Sequence, residues 1–162
     1  MRTADTLSDL AATAGVGALA GLAGTAAMTL SSTIETRLRD RPPSSTPAEA
    51  AATVLGVEPK DGQAGDRFNQ FVHWAYGTSW GVVRGVLDRL GLHGPQAALA
   101  HLGVVWGAEQ VVLPATGASK PAWNWGGREA GIDVAHHCVY AAVTSAVYEL
   151  LDPHRTAHRH HH

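Results

Sequence analysis

The chain has 162 residues, 45% of them hydrophobic and 16% charged, with a formal net charge of -2. That length makes one domain without a separate catalytic module. Its charge balance gives no basic face for a phosphate backbone and it has no zinc-finger or RNA-binding signature, which argues against nucleic acid as a partner. The single cysteine, Cys138, excludes an intrachain disulfide and reads as a small buried hydrophobe.

The first element is the most informative. No charged side chain occurs between Leu10 and Ile34, and about 25 residues at about 1.5 Å of rise each cross the roughly 30 Å hydrocarbon core of a bilayer. Gly15, Gly17, Gly21 and Gly24 stand among alanines where a lipid-facing helix would carry leucines, a composition suited to close helix contact in lipid. Thr6 or Ser8 is expected to cap this helix, and Pro42 and Pro43 to stop it after about Arg39. Asp5 and Asp9 occupy the place of a signal peptide's positive region, so the segment is expected to be retained.

From Arg41 to Arg67 the chain is polar, apart from Thr46-Pro47 and Ala48 to Leu55, which read as a short capped helix. The second long segment, Phe68 to about Leu90, is uncharged up to Arg84. The third, about Gln96 to Leu113, carries only Glu109, and the fourth, Ile132 to Leu151, begins at Asp133 and ends near Glu149. Gly94 and Pro95 divide the second from the third, and the stretch from Thr116 to Glu129 divides the third from the fourth. No strand alternation or internal repeat is found.

The expected fold class is therefore all-α: a four-helix transmembrane bundle with a short extra helix in the first loop, forming one domain over residues 1–153. Mean hydropathy is only -0.05, and one Asp or Arg at the centre of an isolated span costs roughly 2.5 to 3.5 kcal/mol. Segments two and four thus need partners, and Arg84 with Asp88 one turn on can supply a pair. The basic residues slightly favour cytoplasmic first and third loops. His154, His158, His160, His161 and His162 lie in a tail, 154–162, that reads as disordered or as a purification tag.

Antiparallel helices place Glu35, His73, Glu109, Asp133, His136 and His137 in one layer toward the first and third loops, with His101 in the opposite layer. Steps of three and four align His73, Tyr76, Gly77, Trp80, Arg84 and Asp88 on one stripe. Asp133, His137, Tyr140, Ala141, Thr144 and Tyr148 form another. Such stripes are costly against lipid and belong in the interior.

His73, Glu109, Asp133, His136 and His137 are accordingly the candidate metal ligands. Imidazole and carboxylate suit zinc, iron or manganese, and inward residues of facing helices build such sites. Asp133 is placed to orient the His137 ring. Two histidines at one depth also suit axial haem ligation, and histidine near neutral pH suits proton relay.

The competing expectation is a non-enzymatic membrane scaffold or homo-oligomer subunit, in which these groups only hydrogen-bond across the helices. The small faces of Gly21 and of Gly103 and Gly107 would then contact a partner, and the five tryptophans would pack or mark the lipid interface. The loop from Lys120 to Glu129, with Trp123, Trp125 and Arg128, can close over the polar layer as a lid. No nucleophile with a base and an orienting group is evident, so hydrolase or transferase activity is not expected.

The run Gly17-Ala18-Leu19-Ala20-Gly21-Leu22-Ala23-Gly24-Thr25, Met28-Thr29, the exit Arg41-Pro42-Pro43-Ser44 and His73-Trp74-Ala75-Tyr76-Gly77 resemble the YagU-like small bacterial inner-membrane proteins. The resemblance covers about half of the chain. It implies a multi-helix inner-membrane protein with no assigned reaction, and supplies no catalytic residues.

Overall fold

A computed structural model describes residues 2–58 and 62–152, with side chains placed from residue 6. Among the described residues every regular element is helical: α1 (Arg2–Leu38), α2 (Thr46–Leu55), α3 (Gln63–Arg89), α4 (Gly94–Thr116) and α5 (Gly127–Leu151). A single 3-10 turn, Ala122–Asn124, precedes α5. The histidine-rich tail lies outside the described residues.

Helix ends follow local chemistry. α1 already begins at Arg2, so Thr6 and Ser8 lie inside the helix and do not cap it. α2 opens with proline in its first turn and closes on Gly56, whose left-handed φ of 65° turns its N–H back to Ala52 O and Thr53 O. α4 also opens on proline and closes on a left-handed Gly117. It runs past Leu113 because Pro114, third from the end, forfeits a single backbone bond.

α1 packs most extensively on α3 and α5, while α4 lies chiefly on α5 and α2 bridges α3 and α4. Glycine sets these crossings. A Cβ on Gly17 would lie 2.7 Å from Gly81 O, one on Gly21 2.7 Å from Thr78 O, and one on Gly24 2.9 Å from Tyr140 O. The small face of α1 is therefore spent inside the chain, which corrects the expectation that Gly21 meets a partner. A Cβ on Gly103 or Gly107 would meet nothing within 4 Å, and Gly103 is exposed.

Polarity runs from the centre outward. The largest fully buried side chains are Arg84, His101, Thr25 and Thr144, while Leu30, Phe71, Leu99, Val111 and Leu150 are each more than 60% exposed. Two helical stretches, Thr6–Leu38 and Gly94–Thr116, are long and apolar enough to cross a membrane.

The interior stripes form as the spacing predicts, except that Tyr76 is 43% exposed. Arg84, 0% exposed, reaches Ser145 Oγ at 3.2 Å, Glu149 Oε1 at 3.4 Å and Asp88 Oδ1 at 3.5 Å, and lies 4.7 Å from the Tyr148 ring centroid. Beside it, His101 Nε2 donates to Trp80 O at 3.0 Å. Cys138 is exposed, contrary to the buried reading. It follows His137 by one position, and a rotation of about 100° carries it off the interior stripe.

Candidate functional site

The helices diverge toward the first and third loops and leave a cavity of about 1370 Å³. Its floor is closed by Tyr140, whose hydroxyl donates to Gly77 O at 2.6 Å, with Thr25, Trp80 and Val105 around it. α2 forms one wall through Ala50, Ala51, Val54 and Leu55, facing Thr29, Ser32, Thr33 and Thr36 of α1. Part of the cavity is therefore greasy and part hydroxyl-lined.

Three of the sequence-predicted ligands converge midway down. Glu109, Asp133 and His137 each offer a donor atom, and these atoms lie within 4.8 Å of one another. The His137 ring is fixed from behind: its Nδ1 is 2.9 Å from the Asp133 backbone carbonyl. A carbonyl only accepts, so Nδ1 carries a proton, and in the neutral ring Nε2 keeps its lone pair.

That lone pair faces Glu109 Oε2 at 3.1 Å, yet this buried oxygen has no hydrogen bond of acceptable geometry. Asp133 is held too, because Trp106 Nε1 donates to its Oδ2 at 2.8 Å. Its carboxylate lies 3.5 Å from His137 Nδ1, so the backbone carbonyl, rather than the side chain, is the nearer orienting group.

His73 and His136 line the same cavity but engage α1. Thr29 Oγ1 spends its proton on Thr25 O at 2.7 Å, so at 2.8 Å it accepts from His73 Nε2. His136 Nδ1 is 2.8 Å from Ser31 Oγ, and its Nε2 stands 3.9 Å from Glu35 Oε2.

Charges at the mouth neutralise one another. Glu35 accepts from Arg39 at 2.8 Å and from Arg41 at 2.6 Å, and Arg39 also bridges to Glu129 at 2.5 Å. The hydrogen bond from Arg39 holds the Glu129 carboxyl below its usual range. Trp125 lines the cavity while Trp123 is exposed, so one of the two loop tryptophans covers the polar layer. Gln110 pins this loop by accepting the Ala122 N–H at 2.7 Å.

Sequence reasoning missed Gln110, the Trp106 partner of Asp133 and Ser31 as the partner of His136, whereas the helical spacing of Thr25, Thr29, Ser32, Thr33 and Thr36 already turned the hydroxyl that takes His73 inward. Only the spacing of Trp106 one turn before Gln110, on the helix that carries Glu109, hinted at the first two.

No family model, curated protein or solved structure matches the chain. The chemistry of the site rests on its own residues.

Proposed function

We propose that the chain is a multi-pass protein of the bacterial inner membrane, a four-helix transmembrane bundle of YagU-like kind, that binds one transition-metal ion through Glu109, Asp133 and His137. The bilayer reading is supported by the polar centre and apolar exterior. In water an exposed leucine forgoes its burial energy, whereas in lipid an inward Arg84 with its carboxylates is the cheaper arrangement.

One observation carries the metal reading: with the ring neutral, His137 Nε2 and Glu109 Oε2 confront each other as acceptors at 3.1 Å, and the buried carboxylate oxygen has no hydrogen bond. Two ligands at about 2.0 to 2.1 Å from a tetrahedral ion stand about 3.3 Å apart. The groups behind them, the Asp133 carbonyl and Trp106 Nε1, are of the kind that orients ligands. Two carboxylates and one imidazole suit zinc, iron or manganese. The ion would act there as a Lewis acid toward whatever fills its open position.

The test is elemental analysis and visible absorption of detergent-purified protein lacking residues 154–162. About one zinc, iron or manganese per chain is expected, lost in His137→Ala and Glu109→Gln and retained in His73→Ala. A folded, metal-free, colourless wild type overturns the reading, and a haem absorption band replaces it with haem. The same facing pair supports proton relay as a second reading, since a shared proton also relieves two opposed acceptors. Proton flux into vesicles carrying metal-free protein tests it.

A further inference from the structure

The Glu109 group occupies a small part of a cavity far larger than an ion requires. Pockets for organic ligands run from roughly 300 to 1,000 Å³, and this one is about 1370 Å³. Its α1 lining from Thr25 to Arg37 extends about 18 Å along the helix axis. The cavity therefore has the dimensions of an elongated organic molecule.

Charge decides which kind. The arginines that line the cavity, Arg37 and Arg41, belong to its mouth, and Arg41 is committed to Glu35. Deeper, Glu109 and Asp133 line the wall, and neither pairs with a lysine or arginine among the described residues. Asp133 receives the Trp106 N–H, whereas Glu109 Oε2 is buried with no hydrogen bond. An anion entering here meets two carboxylates that share one histidine, His137, at 3.1 and 3.5 Å, and a cation supplies further countercharge.

The walls suit a cation that carries apolar bulk. Tyr76 and Trp80 pack edge to face with centroids 5.8 Å apart, and both line the cavity with Tyr140. Aromatic faces of this kind attract quaternary and protonated amines. The α2 residues Ala50, Ala51, Val54 and Leu55 offer only apolar contact.

We propose that the cavity binds a lipophilic organic cation, its charge against Glu109 and its apolar body between the α2 wall and the Tyr76–Trp80 pair. This deepens the proposed cation centre: it rests on Glu109 having no lysine or arginine partner among the described residues, His137 being its basic neighbour at 3.1 Å, and it does not need the metal. An organic cation and a metal ion would compete for the same oxygen.

The experiment uses the full chain in detergent with two probes of equal shape and opposite charge, tetraphenylphosphonium and tetraphenylborate. Binding is followed by equilibrium dialysis and by tryptophan fluorescence, since Trp80 and Trp125 line the cavity. Saturable binding of tetraphenylphosphonium at about one per chain is expected, with none of tetraphenylborate. Glu109→Gln should weaken it by about tenfold or more. Ala51→Trp, which fills the cavity from α2, should weaken it as much while leaving metal content unchanged.

Equal binding of the two probes overturns the proposal, as does wild-type affinity in both variants. Stoichiometric metal without any tetraphenylphosphonium binding sinks this inference and leaves the metal centre standing. Tetraphenylphosphonium binding that depends on Glu109, in protein that takes up no metal, sinks the metal centre and supports the inference.

Discussion

The two halves of the helix assembly, divided at Tyr140, use similar residues to opposite ends. Below it, Arg84 is shared among Ser145, Glu149 and Asp88, and Glu149 also takes the Gly94 N–H at 2.7 Å. Glycine contacts close the surrounding space. Above it, α1 presents Thr29, Ser32 and Thr36 to a cavity, and Glu109 keeps an unbonded buried oxygen. Polar residues enclosed by neighbours act as fasteners even where an atom such as Arg84 Nη1 or His101 Nδ1 lacks a hydrogen bond, and those left facing space are available to a ligand.

Substitutions sort by this division. The largest loss of stability is expected for Arg84→Leu, which removes the buried cation that Asp88 and Glu149 share; removing one partner of a buried ionic group costs about 3 to 5 kcal/mol. Next comes Gly81→Ala, whose Cβ would collide with Gly17 O and the Gly21 backbone, at about 1 to 3 kcal/mol for overpacking. Thermal unfolding in detergent measures both. If either variant melts with the wild type, the lower half is not the fastening half.

His137→Ala should lie at the other extreme for stability and change ligand content instead. Its melting curve in metal-free buffer is expected within about 1 kcal/mol of the wild type, and a larger fall would make the upper half structural as well.

The smallest effect belongs to the mouth. Arg39 lowers the Glu129 pKa, so the stabilisation from their pairing is present above the ordinary carboxylate value of 4.5 and lost as pH falls through the depressed folded value. Wild type and Glu129→Gln should therefore differ slightly at pH 7, converge in acid, and differ less in high salt. A gap that persists in acid would mean that Glu129 acts through packing.

Helix identities and the inward stripes were legible because a 3.6-residue period fixes which face of a helix is polar, and antiparallel order fixes depth. Glu109, Asp133 and His137 came together on those two rules. Neither rule says where a ring turns once inside: His73 and His136 share the depth but rotate onto Thr29 and Ser31 of α1. Nor does a small-residue pattern name its partner. Gly21 and Gly103 are alike in sequence, yet one is locked against α3 and the other is open. Cys138 shows the limit of average behaviour, since small thiols are commonly buried and this one falls on the wrong side of its helix.

α2, which walls the cavity, buries only Ala48, Ala50 and Ala52. At about 0.8 kcal/mol per buried methyl-sized group, three such contacts secure it by about 2 to 3 kcal/mol. Detachment at that cost recurs in roughly one molecule in a hundred at any instant, so the α2 amides should trade hydrogen for deuterium well ahead of those in α1 and α3. The panel held most lightly is thus one that borders the site.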